Sequence, residues 1–274
     1  MQELTLKDIH NLSLEILKDV HAFCERENIK YSLAYGTLIG ALRHKGFIPW
    51  DDDIDICMPR PDYEKFIRTY KSDKFDIAYT GVECKYDCLI AYARVFDTKR
   101  TIAKNAHWIS ERTGLWIDVF PLDGVSNDQA AYEAEFKEIY NQWSSIIPKK
   151  IQFTRIMDQQ GIVNKLKLIK KKIKTLNGLG GHKLQRVFNK RIQRIPYGST
   201  QFWTNYAVVD GGFEYIPIET FQNTVLVDFE GEKFRAMNGY DKMLRTFYGD
   251  YMQLPPEEKR IPHQSYIRFY WKNK

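Results

Sequence analysis

Four carboxylates fall in five consecutive positions of Trp50-Asp51-Asp52-Asp53-Ile54-Asp55. Like charges that close repel one another, and the ordinary outcome for such a run is a solvated acidic loop. The frame argues otherwise, because Pro49 and Trp50 on one side and Ile54, Ile56 and Met58 on the other leave no Glu/Lys-rich surface run. Asp53-Ile54-Asp55-Ile56-Cys57-Met58 alternates acid and apolar residues until Pro59. The alternation predicts a strand with Asp53 and Asp55 on one face. Two carboxylates so placed can share a hard divalent cation, which removes the cost of their repulsion.

A single further acid, Asp118, sits between large apolar neighbours in Trp116-Ile117-Asp118-Val119-Phe120. Burying it without a partner is expensive. It is therefore either an edge-strand residue facing water or the third carboxylate of a site shared with Asp53 and Asp55. Upstream, Ala34-Tyr35-Gly36-Thr37-Leu38-Ile39-Gly40 reads as a small Gly-Thr turn entering a helix. Backbone N–H groups there, with the Thr37 hydroxyl, could hold a phosphate oxygen. Arg43, His44 and Lys45 follow closely enough to neutralise a pyrophosphate. Metal and phosphate chemistry is the class these three pieces predict together. No Ser or Cys stands in a nucleophile elbow, so no covalent enzyme intermediate is expected.

The elements that must position these groups read as a mixed α/β fold. Leu12, Ile16, Leu17, Val20, Phe23 and Cys24 form one helical stripe, with Thr5 and Asp8 as its cap. Tyr31 to Ala34 predicts a short strand, 38–43 a short helix and 46–50 a loop. Asp62 to Tyr70 is helical, and 89–97 and 116–120 are strands, with Pro121-Leu122-Asp123-Gly124 ending the latter in a turn. Residues 130–194 read as helical and basic. Thr224 to Phe229 predicts a strand, and 239–248 a helix. Three parts are expected: a catalytic core over 1–130, a basic helical segment over 131–200, and a part over 201–274 that completes the core and substrate pocket.

Bulk properties narrow the partners. The net charge of +6 is uneven, since 149–194 holds 14 Lys and Arg against one acid, Asp158. An anionic partner for that segment follows. Within it, 164–176 (NKLKLIKKKIKTL) places Leu166, Ile169, Ile173 and Leu176 on one stripe among lysines. This is either a surface helix packed on the domain or a basic amphipathic helix on an anionic membrane face. Aromatic residues are sparse there, which disfavours nucleic acid. No run approaches the ~20 apolar residues of a membrane span, and Met1 to Lys7 lacks the layout of a secretion signal. A cytoplasmic protein is expected, with peripheral binding to the inner face of the cell membrane through 164–176. Cys24, Cys57, Cys84 and Cys88 read as reduced thiols, the last two spaced too loosely for a usual zinc pair.

A Gly-Thr turn, an Asp-x-Asp strand and a distant single Asp on another strand make the layout of the nucleotidyltransferase fold. The wording GTLIGALRHKGFIPWDDDIDICM (36–58), GLWIDVFPLDG (114–124) and YDKMLRTFYGDYMQLPPEEKR (240–260), followed by His263, resembles the LicD family. That family includes bacterial phosphocholine transferases and is related to fukutin-related protein. The resemblance implies a nucleotidyltransferase-fold mixed sheet with flanking helices and a basic helical insertion. It implies a CDP-choline or related CDP-alcohol donor, a glycan acceptor such as lipopolysaccharide or teichoic acid, free or lipid-linked, and Mg²⁺, with Mn²⁺ as alternative. It maps metal ligation and catalysis onto Asp53, Asp55 and Asp118. Donor contacts map onto Gly36, Thr37, Arg43, Lys45, Trp50, Asp51, Asp52, Asn238, Tyr240 and His263. One departure is that the family's usual Pro before the Tyr is absent from Met237-Asn238-Gly239-Tyr240, a segment implied to line the alcohol pocket. Rival cargoes on the same scaffold are phosphoethanolamine, glycerol phosphate and ribitol phosphate, and a non-catalytic glycan- or membrane-binding relative is the rival class. Tyr92, Trp108, Trp116, Trp203 and Tyr206 are candidates for an aromatic cage around a quaternary ammonium.

Overall fold

The computed structural model describes residues 1–79, 91–104, 113–146, 166, 180–207, 214–260 and 268–272. Helix α1 (Leu6–Glu27) begins as the cap signal predicts: the Thr5 hydroxyl accepts from Asp8 N–H at 3.2 Å, and the Asp8 carboxylate accepts from Thr5 N–H at 2.9 Å. Its stripe of Leu12, Ile16, Leu17, Val20, Phe23 and Cys24 is buried. Asn28 ends the helix in the left-handed conformation (φ 51°), which Asn tolerates better than most residues.

The central sheet collects strands β1 (Ser32–Leu33), β2 (Asp55–Pro59), β3 (Asp76–Tyr79), β4 (Ala93–Asp97) and β6 (Leu115–Val125) in the order β1-β2-β6-β4-β3. Strands β7 (Phe202–Thr204) and β8 (Ile216–Pro217) extend it, β7 pairing on β6 and β8 on β7. Only β2 and β6 run parallel; the other pairs are antiparallel. Helices α2 (Tyr35–Arg43) and α3 (Arg60–Thr69) flank β2. A mixed α/β sheet with flanking helices is therefore the architecture, as the sequence predicts.

Three expectations need correction. The Gly36-Thr37 turn is instead the first turn of α2, which starts at Tyr35. The acid-bearing strand starts at Asp55, so Asp53 lies in the loop before it and the two are not on one strand face. Strand β6 runs straight through the Pro121-Leu122-Asp123-Gly124 turn signal to Val125. Proline is tolerated there for a geometric reason. Asp118 N–H donates to Ile54 O on the β2 side, so position 121 would direct its N–H away from β2. The last β4 pair on β6 is Ala93↔Val119, two residues earlier. Asp123 is fixed by a bidentate ion pair with Arg60 at the start of α3 (2.7 and 2.6 Å), both groups buried.

Strands β9 (Thr224–Phe229) and β10 (Glu232–Met237) form a hairpin whose two-residue turn, Glu230-Gly231, has positive φ at both positions. The hairpin grips the loop after α2, since Glu230 N–H donates to Lys45 O (2.8 Å) and the Glu230 carboxylate accepts from Phe47 N–H (3.0 Å). Helices α4 (Gln129–Ile146) and α5 (Gly180–Ile192) pack together, with an ion pair between Arg191 and Glu138. Helix α6 (Tyr240–Tyr248) follows β10. Strands β5 (Thr101–Lys104) and β11 (Arg268–Trp271) pair, and Glu3 bridges to Tyr270 beside them. Among the described residues no helix is long and apolar enough to cross a membrane. The predicted amphipathic helix over 164–176 lies outside the described residues except for Leu166, as do Cys84, Cys88, Trp108 and His263. Cys24 and Cys57 are buried free thiols.

Candidate active site

Three strands bring charged groups into one row across the sheet. Asp55 on β2 is in register with Asp118 on β6, and Asp118 is in register with Arg94 on β4. Asp118 is therefore an interior residue of the sheet beside Asp55, and the reading as a solvent-facing edge carboxylate falls. It also has a cation: Arg94 Nε donates to Asp118 Oδ1 at 2.6 Å, with both side chains buried. Arg94 is held in turn, its Nη2 donating to the Tyr92 hydroxyl at 2.7 Å and its guanidinium lying 4.3 Å from the Trp116 ring centroid.

The acidic loop folds over the start of α2. Asp51, Asp52 and Asp53 each offer a carboxylate oxygen, and the three lie within 4.8 Å of one another. The loop is anchored from α1, where His10 Nε2 donates to Asp51 O at 2.7 Å and the imidazole stacks on Phe47 at 3.9 Å. Gly36 lies beneath it, and a Cβ there would meet Asp51 Oδ2 at 2.7 Å and push that carboxylate aside. Burial, then the neighbouring Asp52, pushes the Asp51 carboxyl up to about 6. Burial, then Asp53, Asp118 and Asp51, pushes Asp55 well above the carboxylate range, and Arg94 offsets only part of this. An all-oxygen donor set of clustered carboxylates suits a hard divalent ion, so these residues fit Mg²⁺.

A cavity of about 540 Å³ opens beside the acids. Asp51, Asp53, Asp55 and Gly36 line one part of it. Tyr35, Trp50, Tyr248 and Tyr251 supply aromatic surface, and Arg43 supplies a cation. The segment after α6 closes it through Asp250, Gln253, Leu254 and Pro255. Arg43 Nη1 donates to Tyr251 O (2.7 Å) and Gln253 O (2.9 Å), which fixes this strap over the cavity. Among the described residues no carboxylate forms an ion pair with Arg43, so its charge is available to an anion.

Other expected site residues stand elsewhere. Thr37 Oγ1 accepts from Asp55 N–H at 2.8 Å, so Thr37 braces the start of β2, and the residue is buried outside the cavity lining. Among the described residues, Lys45, Asn238 and Tyr240 are not in the cavity lining. Lys45 acts on Asp228 in the hairpin, and Asn238 pairs with Asn223 through its backbone and its side chain. Asp52 belongs to the carboxylate cluster without lining the cavity. The cage candidates Trp116, Trp203 and Tyr206 are core residues, all buried, with Trp203 Nε1 donating to Thr220 Oγ1 at 3.0 Å. Tyr92 serves Arg94.

Residues 28–153 match the family described as LicD/FKTN/FKRP, nucleotidyltransferase domain. The chain is 36% identical over 278 residues to the lipopolysaccharide cholinephosphotransferase LicD of Haemophilus influenzae, covering 96% of this chain and 97% of that protein. This chain belongs to the LicD family. Uncharacterised proteins of Rickettsia prowazekii and Rickettsia typhi are each 35% identical over 80 residues, 27% of this chain and 30% and 26% of theirs.

Within this LicD-family site, sequence reasoning missed a second polar group below the cavity. Tyr35 carries a positive φ of 47°, an uncommon and strained conformation for a bulky residue. Its hydroxyl donates to the Glu214 carboxylate (3.0 and 3.3 Å) and accepts from Asn205 Nδ2 at 2.8 Å. Glu214 also accepts from Asn205 N–H at 3.1 Å and is buried. Burial pushes its carboxyl up to about 8 despite the two hydrogen bonds it accepts. The sequence separation from Tyr35, 179 residues, left no local signal. Arg94 was likewise missed, 24 residues from Asp118 and joined to it only by strand register.

Proposed function

We propose that this chain transfers phosphocholine from CDP-choline to a hydroxyl of a cell-surface glycan or its lipid-linked precursor, releasing CMP in a Mg²⁺-dependent reaction. The observation that carries the reading is one cavity bordered by the acids Asp51, Asp53 and Asp55, by Arg43, which forms no ion pair among the described residues, and by four aromatic residues. A pyrophosphate with a cationic alcohol on one end matches all three surfaces. The Haemophilus relative, a lipopolysaccharide cholinephosphotransferase similar over nearly the whole chain, supports the same cargo.

The reaction forms a bond from the acceptor oxygen to the choline-bearing phosphorus and breaks the pyrophosphate bridge, whose electron pair leaves with CMP. Asp51, Asp53 and Asp55 would hold Mg²⁺, which would supply charge to neutralise the pyrophosphate and polarise its phosphorus. Arg43 attracts the anionic donor and the departing phosphate. Asp118 orients the acceptor hydroxyl and takes its proton at a carboxylate oxygen, with Arg94 fixing that carboxylate. Because Arg94 already supplies a cation to Asp118, base or orienting chemistry suits it better than metal ligation. The closed strap and aromatic walls limit water, which otherwise competes as acceptor.

The test is CMP release from CDP-choline, CDP-glycerol and CDP-ribitol, with and without lipopolysaccharide acceptor, in Mg²⁺ or EDTA. Acceptor- and Mg²⁺-dependent release from CDP-choline in preference to the other two supports the proposal. Release from CDP-ribitol or CDP-glycerol alone, or none at all, defeats it.

A further inference from the structure

Glu214 is a buried carboxylate that the transfer chemistry above does not use. Both of its described interactions are hydrogen bonds from neutral donors, the Tyr35 hydroxyl and Asn205 N–H. Among the described residues no Lys, Arg or His forms an ion pair with it, in contrast to the buried acids Asp118 and Asp123, paired with Arg94 and Arg60. Burial pushes this carboxyl up to about 8, so it is mostly protonated near neutral pH in the empty site, and a cation bound nearby would favour its charged form. Tyr35 links Glu214 to the cavity, since it belongs to the cavity lining and its hydroxyl donates to the Glu214 carboxyl. The ring is set by edge contact with Phe120 at 5.7 Å and a tilted contact with Phe247 at 6.0 Å. Tyr248, another wall of the cavity, also lies within electrostatic reach of Glu214.

A phenol that donates its proton toward a carboxylate carries more electron density in its ring, and its face then attracts a cation more strongly. A quaternary ammonium has no N–H to offer, so aromatic faces and nearby negative charge are the means by which it is recognised. We propose that Glu214 is a positioning residue for specificity, which holds Tyr35 and enriches its ring so that the cavity selects a donor whose alcohol bears a quaternary ammonium over a neutral one. The inference rests on the proposed CDP-alcohol donor and names the feature that chooses among such donors. The strained φ of Tyr35 agrees with it, since the hydrogen bonds from Asn205 and to Glu214 maintain a backbone conformation that the residue would otherwise leave.

The experiment compares CDP-choline with its neutral carbon isostere, CDP-3,3-dimethylbutanol, which has the same shape without the charge. Binding is measured by calorimetry with Mg²⁺, and transfer by kcat and KM. The wild type should prefer CDP-choline by about tenfold or more. Glu214→Gln should bring the two donors within about twofold by weakening CDP-choline while leaving KM for the isostere near its original value. Tyr35→Phe, which removes one oxygen and the same hydrogen bond, should do likewise, and the double variant should add nothing further. Should Glu214→Gln fail to fold by thermal melting, Tyr35→Phe and the wild-type preference still decide the matter. Equal affinity of the wild type for both donors overturns the specificity role while leaving CDP-alcohol transfer intact. An equal loss for both donors in Glu214→Gln reduces Glu214 to a structural support. Failure of the wild type to bind either donor overturns the donor assignment, and this inference with it.

Discussion

Asp51 is an acid raised by burial and by Asp52, and Asp55 one raised by burial and by Asp53, Asp118 and Asp51, and this has a defined pH signature. Asp51 is pushed up to about 6 in the fold, against roughly 3.9 in an unfolded chain. Between those values the folded state holds a proton that the unfolded state has lost, so this group makes stability fall as pH rises from about 4 to 6, and the loss is complete above that. Asp51→Asn should therefore stabilise the metal-free protein at pH 7.5 by on the order of 2 kcal/mol, seen as a higher melting temperature, and have little effect at pH 4. Mg²⁺ should stabilise the wild type at pH 7.5 and lose that effect in acid. A melting temperature indifferent to Mg²⁺ at pH 7.5 would count against the cation site. Asp53→Asn and Asp55→Asn should abolish Mg²⁺-dependent turnover without unfolding the chain, and near-normal turnover at saturating Mg²⁺ would remove them from the metal set. Asp118→Asn should lower transfer by the ~10²–10⁴ of lost general-base catalysis. Donor affinity in that variant, titrated at several Mg²⁺ concentrations, should stay near the wild-type value. Donor affinity that weakens in step with Mg²⁺ would make Asp118 a metal ligand after all. At this scale the acids were legible because a dense run of like charge in an apolar frame is itself a local signal. Their partners were not, since Arg94 and Glu214 reach Asp118 and Tyr35 only through strand pairing and chain return.

Among the elements, α1 was readable because everything that starts it, Thr5, Asp8 and the apolar stripe, lies within its own sequence. Strand β6 was not. Its Pro-Leu-Asp-Gly segment has the chemistry of a turn, yet the fold extends it because Arg60 neutralises Asp123 and because the missing proline N–H falls two residues past the last β4 pair. Local propensity lost to tertiary partners. The Arg60–Asp123 pair should thus support both α3 and the end of β6. Asp123→Ala, which leaves Arg60 buried and unpaired, should cost about 3–5 kcal/mol in urea unfolding. Replacing both groups, as in Arg60→Met with Asp123→Leu, should cost less than that single change. A single variant within 1 kcal/mol of wild type, on the scale of an exposed ion pair, would show the pair to be better solvated than its burial implies.

Over the whole molecule, charge is segregated. The +13 balance of 149–194 leaves −7 on the remainder of the chain, and the site acids belong to that negative part. Replacing Lys170, Lys171 and Lys172 by Gln should weaken binding to phosphatidylserine-containing vesicles by up to about 1 kcal/mol per charge. CMP release from CDP-choline in solution should be unchanged. Vesicle binding equal to wild type, or insensitive to salt, would remove the membrane role from this segment. A separate consequence follows from how the strap over the cavity is held. Arg43 grips the oxygens of Tyr251 and Gln253, which belong to the main chain and are present whatever residues stand there. Apart from Tyr251, which is buried and whose hydroxyl donates to Asp241 at 2.9 Å, side chains along 250–255 are thereby released from the duty of keeping the strap in place and can be exchanged one at a time. A scaffold fastened in this manner can change the alcohol it accepts by small mutational steps, without first dismantling the wall that encloses it.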